Sequence, residues 1–365
     1  MSTIIDPNKL PYKGRLYSNV LGEGLQNIED RAAGRVQSIK TPWPGFNMAG
    51  INGLEWGTLL TIGARPGSGK TLIVSQILKE AHDLNNGQHF NILEFQFEMG
   101  AKQTAARAFA AETALDYNIV LSANRPLEQY ARDEMRKFAV EQSRLEKLGR
   151  YRIQINDPIS NKEIIDAIEQ YYLLLGGKPL IVTIDHSWLI KKASDEKEKI
   201  ATLYNTVELL MQVKKTLPII IIMITQLNRS IDEAARKTPG SIGNYPTSSD
   251  VFGGDALMQG SDMLVALNRP NKAGLPVYGP KQYRCDTNDI YMHLLKVRNG
   301  ANDEEMLFMQ ADFARQRLIE VPPIYCANPS GSLAPGKTNT KRSQAGSKPS
   351  FTTGSSDVVN KDYEV

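Results

Sequence analysis

Two stretches of this sequence carry the residue types that cradle phosphate. "ARPGSGKT" (64–71) offers Ala64, Arg65, Pro66, Gly67, Ser68, Gly69, Lys70 and Thr71, and "GSLAPGKT" (331–338) also ends in Gly-Lys-Thr. Such loops work because backbone N–H groups and a helix N-terminus converge on anionic oxygens, so a strand must precede them and a helix must follow. The first stretch has both. "GTLLTIGA" (57–64) is an apolar strand, and "KTLIVSQILKEAHDLNNG" is an amphipathic helix stopping at Asn86-Gly87. The second fits the glycine rule at every position, yet it lies between "YCANPS" and "NTKRSQAGSKPS" with no apolar period, and it is set aside. Ala64 departs from that rule by one small residue, while Gly67 and Gly69 keep the backbone freedom. Lys70 is placed for the β- and γ-phosphates of ATP, and the Thr71 hydroxyl for Mg²⁺.

Three further strand ends supply polar groups. "PLIVTID" closes on Asp185, the expected holder of the magnesium shell. The next residue is His186, so a water-activating carboxylate must come from elsewhere; "NILEFQFEMG" offers Glu98 at its C-terminal end, with Glu94 expected inside the sheet. "IIIIMITQ" ends on Gln226, a polar amide able to sense a γ-phosphate. "KVRNG" presents Lys296 and Arg298 two residues apart on one strand face. Taken alone these are strand-end charges; such a pair can also reach across a subunit boundary to a neighbour's nucleotide.

The elements that must position these groups alternate between helix and strand from Trp43 onward. "PLIVTID" and "LPIIIIMITQ" are continuous apolar runs, as expected of strands buried on both faces of a parallel sheet. "YRIQIND", "DMLVALNR", "DIYMHLLKVRNG" and "EEMLFMQADFARQRLIEV" add strands. Residues 101–149 read as helices broken near "SANRP", and "SNKEIIDAIEQYYLLLG" as a helix capped by Ser160 or Asn161. The fold class is therefore α/β, a mainly parallel twisted sheet flanked by helices. Residues 1–40 read as an arm or linker with a short helix around 24–39, residues 41–326 as the α/β domain that carries the phosphate loop, and residues 327–365 as a disordered tail rich in Ser, Gly, Thr, Lys and Pro. No apolar run approaches the ~20 residues of a membrane span. Cys285 and Cys326 suit a reducing cytoplasm, the four histidines have no metal-ligand spacing, and a net charge of +3 does not by itself imply nucleic acid.

The ordered set of motifs resembles the RecA-like P-loop motor domain of DnaB-type hexameric replicative helicases, over roughly residues 40–322. "GARPGSGKT", "FQFEM", "TIDHSWLI", "TQLNRS", "LMQGSD" (with Gln259 and Asp262) and "KVRNG" follow that family's order. The resemblance implies ATP and Mg²⁺ as cofactors, Lys70 and Thr71 on phosphate and metal, Asp185 on metal and Glu98 as catalytic base. It makes Gln226 a sensor, and Lys296 with Arg298 a finger acting on ATP bound by the adjacent subunit. It further implies a hexameric ring around single-stranded or forked DNA, with a primase or loader as partner, in the cytoplasm of a bacterium or a phage-infected host. DNA contacts are expected in 191–199 and 229–254, with Arg229, Arg236, Lys237, Gly253 and Gly254 as candidates. There are departures. About forty residues stand where full-length members carry a helical N-terminal domain, so primase recruitment of the usual kind is not implied. "FGGD" (252–255) replaces an Arg-Glu-Ser-Gly-like stretch, "GGDAL" being closer to recombinases and clock ATPases, and the loop at 236–249 is longer. The alternative reading is a RecA-fold recombinase or helicase-like loader that does not unwind.

Overall fold

The computed structural model describes residues 11–50, 52–122, 126–192, 196, 198–300 and 306–325. The expected tail, and "GSLAPGKT" with it, lies outside the described residues. So do residues 1–10 of the arm and part of the 191–199 segment.

Nine strands form one sheet: β1 (Leu59–Ala64), β2 (Asn91–Gln96), β3 (Arg152–Ile155), β4 (Leu180–Asp185), β5 (Ile219–Gln226), β6 (Met263–Asn268), β7 (Asp289–Val297), β8 (Met306–Asp312) and β9 (Arg317–Glu320). Their order is β9-β8-β7-β6-β1-β5-β4-β2-β3. The six from β6 to β3 are parallel, and β7, β8 and β9 extend the sheet antiparallel. The fold is thus the mainly parallel α/β sheet expected from the apolar runs.

Every residue from Ile219 to Ile224 in β5 is 0% exposed. Because side chains alternate, Ile220, Ile222 and Ile224 face one layer while Ile219, Ile221 and Met223 face the other. Helix α2 (Lys70–Leu84) covers the first face with Ile73, Val74 and Ile77. Helices α5 (Asn161–Leu174) and α6 (Lys199–Thr216) cover the second with Ile164, Ile168, Leu203, Val207 and Leu210. Ser160 caps α5: its hydroxyl accepts from Glu163 N–H, and the Glu163 carboxylate accepts from Ser160 N–H, closing a capping box. Helix α3 (Ala101–Thr113) and α4 (Gln129–Lys147) pack beside β2 and β3, and the short α7 (Gly254–Gly260) precedes β6.

The arm helix, α1, spans Tyr17–Ala32 rather than the expected 24–39. It stops where Gly34 takes a left-handed conformation (φ 69°), and the chain beyond pairs Ser38–Ile39 with Leu54–Glu55. No residue of α1 is buried; Tyr17, Val20, Leu21, Leu25 and Ile28 form an exposed apolar stripe, and Arg31 forks onto Glu55 at 2.6 and 2.8 Å. The packed body instead begins at Ile39 and Trp43, whose Nε1–H donates to Leu318 O at 3.1 Å. Among the described residues no helix is long and apolar enough to cross a membrane.

The two-faced packing of β5 sets an expectation for stability. Truncating Ile222→Ala should cost about 2–5 kcal/mol in denaturant unfolding, whereas Leu173→Ala on the exposed side of α5 should change it by less than ~0.5 kcal/mol. Equal losses at the two sites would contradict this layering.

Candidate functional site

Parallel register brings the polar strand ends into one row. Ala64 pairs with Gln226 and Gln96 with Asp185, so the C-terminal ends of β1, β5, β4 and β2 meet at one edge. Open α/β sheets bind ligands at that edge. There a cleft of about 280 Å³ is lined by Gly67, Gly69, Lys70, Thr71, Glu98 and Gln226, with Arg107, Phe313 and Gln316 beside them.

The loop from Ala64 to Gly69 turns directly into α2. Gly67 (φ 72°) and Gly69 (φ 92°) are left-handed, and a Cβ on Gly69 would stand 3.0 Å from Ile290 Cδ1. Ala64 is fully buried as the last residue of β1, where its methyl group fits without strain. Lys70 is 8% exposed, and its ammonium donates to Ala64 O at 3.3 Å. Burial pulls its pKa down, opposed by the charges of Glu98 and Asp185. Arg65 Nε donates to Asp232 at 2.7 Å, and Pro66 lines the cleft while its carbonyl accepts from Lys272 Nζ at 2.8 Å. Ser68 is buried, with its N–H on Arg65 O.

Asp185 is 0% exposed. Its Oδ2 accepts from the Thr71 hydroxyl at 3.2 Å, and Oδ1 has no hydrogen-bond partner among the described residues. Burial, then the nearby charge of Glu98, pushes its carboxyl up to about 6. A buried carboxylate with one oxygen free beside a hydroxyl fits a divalent cation, so the donor set suits the Mg²⁺ that the loop chemistry implies. His186 follows Asp185; its Nδ1 accepts from Trp188 N–H at 3.3 Å, and burial lowers its pKa. Glu98 is exposed at the cleft mouth, and Glu94 is buried and paired with Arg152 at 2.5 Å, as expected.

Lys296 and Arg298 are not brought to this cleft. Strand β7 runs antiparallel to β6, pairing Met292 with Leu267 and Val297 with Met263, while β1 pairs Ala64 with Leu267 and Leu60 with Met263. The basic pair therefore sits at the opposite sheet edge, at least ~13 Å down the strands. Both side chains point to Gln259 O, Lys296 Nζ at 3.4 Å and Arg298 at 3.2 Å. Asp262 anchors that edge, accepting from Leu59 N–H at 2.8 Å and pairing with Lys214 and, at 3.1 Å, with Arg298.

The segment after β5 also differs in part from expectation. Arg229 is exposed and Lys237 half-buried. Arg236 turns inward: it donates to Gly243 O and Tyr245 O and pairs with Asp250, so its guanidinium braces the loop rather than facing solvent. Gly253 and Gly254 have a packing reason to be glycine. A Cβ on either would come within 2.3 Å of a neighbour, Leu203 Cδ2 and Ser248 O respectively.

Sequence reasoning passed over Arg107, Phe313 and Gln316. Arg107 projects from α3 into the cleft, with its Nε buried and unpartnered among the described residues, and its charge opposes the upward shift of Asp185. A cation nine positions after Glu98, between the buried Ala106 and Ala110, was a readable signal. Phe313 and Gln316 come from the β8–β9 hairpin, and no local pattern links that hairpin to residue 70.

Comparison with known proteins supplies the family and supports the fold. Residues 39–317 match the family model for the DnaB-like helicase C-terminal domain. A replicative DNA helicase DnaB from Helicobacter pylori strain 26695 is 25% identical over 274 residues, covering 73% of this chain and 49% of the relative. One from Leifsonia xyli is 24% identical over 288 residues, covering 75% and 54%. The chain spans about half the length of these relatives. Among solved structures, a DnaB-like replicative helicase described with its primase interactions superposes with TM-score 0.67 at 19% identity, covering 85% of this chain and 67% of that one. A second solved structure, an ATPase domain on its own, gives the same score and identity, covering 83% of this chain and 99% of that one.

The raised pKa of Asp185 gives a pH test. Below about 6 the carboxyl holds a proton that a metal must displace, so the Mg²⁺-dependent part of nucleotide affinity should fall about tenfold per pH unit there and level off above it. Calorimetric titration at several pH values should show this slope in the wild type and lose it in Asp185→Asn. The same slope in both proteins would contradict the assignment.

Proposed function

The chain belongs to the DnaB-like helicase C-terminal domain family, and from that premise we propose that it is the ATP-hydrolysing motor of a replicative DNA helicase. In this reading it assembles as a ring, hexameric by resemblance, encloses single-stranded DNA and separates a fork as it moves. The observation that carries the reading is the division of basic groups between two sheet edges. Lys70 and Arg107 line the chain's own cleft, whereas Lys296 and Arg298 stand at the far edge, ready for a neighbour's. The exposed apolar stripe of α1 supports assembly as well, since it is a surface for a second copy to cover.

ATP would lie with its phosphates over the 64–71 loop, where the N–H groups at the start of α2 face the anion. Lys70 would turn from Ala64 O to the β- and γ-phosphate oxygens. Thr71 and Asp185 would hold Mg²⁺, which neutralises charge developing on those oxygens. Glu98, exposed at the mouth, would orient the attacking water and take its proton. Gln226 would register the γ-phosphate and relay its loss to the 229–254 segment, because the chain passes directly from one into the other. Arg298, with Lys296, would complete the site from the adjacent subunit, and removal of such an arginine is worth ~10³ to 10⁵ in rate. Exposed Arg229 and backbone amides of the 229–254 segment would grip phosphates without reading sequence. A primase or loader is the partner expected at a fork, and the cytoplasm is the compartment where that work is done.

Hydrolysis measured with and without single-stranded DNA, alongside oligomer mass and forked-duplex unwinding, tests the reading. Wild-type protein should hydrolyse ATP faster with DNA and unwind the fork. Lys70→Ala should lose about 10²-fold or more in rate and all unwinding while keeping its fold. Hydrolysis indifferent to DNA would sink the reading. Strand exchange by filaments without unwinding would favour the recombinase alternative.

A further inference from the structure

The one exposed tryptophan among the described residues follows Asp185 by three residues. Trp188 is 44% exposed, Trp43 is 1% exposed and Trp56 is half-buried. Trp188 sits on a short 3-10 turn, Ser187–Leu189, that leaves β4 directly after Asp185 and His186. Its position is fixed from two sides. Its backbone N–H donates to His186 Nδ1, and its indole meets the Phe252 ring in a T-shaped contact with centroids 4.7 Å apart at 85°. Phe252 is anchored in turn, packing against the sheet-face core and donating its N–H to Gln226 O at 2.9 Å. A T-shaped contact engages one side of an indole and leaves the remaining surface open.

The surroundings suit a polyanion with flat bases. Lys191, three residues on, is exposed. Arg229 is exposed on the neighbouring segment, which is tied alongside through the Leu227–Val251 bridge. Sequence-tolerant single-strand sites combine exposed aromatic rings, on which bases stack, with cations that track the backbone. We propose that Trp188, backed by Phe252, is a stacking platform for one base of the bound single strand, with Lys191 and Arg229 meeting the flanking phosphates. The proposal rests on the reading of the chain as a single-strand motor and adds a base contact to its phosphate grip. It also gives the strand a short route to the nucleotide, since Trp188 is three residues from Asp185 and the backbone N–H of Phe252 donates to the Gln226 carbonyl.

The test uses the full chain with Mg²⁺ and a slowly hydrolysed ATP analogue. The probes are an oligothymidylate and an abasic strand of equal length, compared on wild type, Trp188→Phe and Trp188→Leu. Wild-type tryptophan emission should be quenched by thymidylate and not by the abasic strand. Binding by anisotropy should be about tenfold weaker for the abasic strand. Trp188→Leu should lose about tenfold on thymidylate, keep its abasic affinity, and retain wild-type oligomer mass and DNA-free hydrolysis; Trp188→Phe should fall between. Equal wild-type affinity for the two strands, or a leucine variant that tracks wild type on both, would overturn the stacking role alone. A changed oligomer mass in Trp188→Leu without DNA would place the indole between subunits and overturn it too. A wild type that binds neither strand would overturn the single-strand reading itself, and the platform with it.

Discussion

A carboxylate with no solvent exposure, and with one oxygen unpartnered among the described residues, is the constraint around which the cleft is built. In a low-dielectric edge such a charge is costly unless a cation answers it, which is why the Asp185 carboxyl holds its proton up to about 6. Thr71 answers one oxygen from the first turn of α2. That contact ties β4 to α2 and sets the loop between β1 and α2 over the same point. Lys70 and Arg107 add positive charge around it, and Glu98 keeps a second carboxylate at the mouth, where water still reaches it.

The direction of β7 decides what the cleft cannot contain. A seventh parallel strand would deliver Lys296 and Arg298 to the phosphate edge. The antiparallel turn places them at the other edge instead, where Asp262 holds Arg298 and Lys214 together with the amide of Leu59. One chain therefore carries the phosphate half of a site at one edge and a basic pair at the other. In the proposed assembly the two edges of successive subunits would meet head to tail, an interface that gives a ring when its rotation closes.

Much of this was legible in the sequence because it is local. The strand–loop–helix around residues 64–71, the apolar runs of β4 and β5, and the capped start of α5 each depend on neighbours a few residues away. "GSLAPGKT" was set aside on the same kind of local context, and it lies outside the described residues. What escaped was set by distant contacts. Arg236 reads as a loop cation but is drawn inward by Asp250, fourteen residues later. Phe313 and Gln316 reach the cleft only because β8 and β9 fold back over α2, where Leu318 N–H meets Gln76 Oε1 at 2.7 Å. The shift of α1 toward the N-terminus has a plainer cause. Gly34 stops the helix, and the Ser38–Ile39 strand beyond it pairs with Leu54–Glu55 instead of continuing it.

The central claim, that hydrolysis needs the phosphate half of one subunit and the basic edge of the next, is tested most directly by mixing two inactive variants. Lys70→Ala leaves the basic edge intact, and Arg298→Ala leaves the cleft intact. Each alone should hydrolyse ATP poorly, while co-assembled rings should regain a substantial fraction of wild-type activity at sites that join an unmodified Lys70 to an unmodified Arg298. Full activity of Arg298→Ala alone, or no recovery at any mixing ratio in rings shown by mass to contain both chains, would contradict the account.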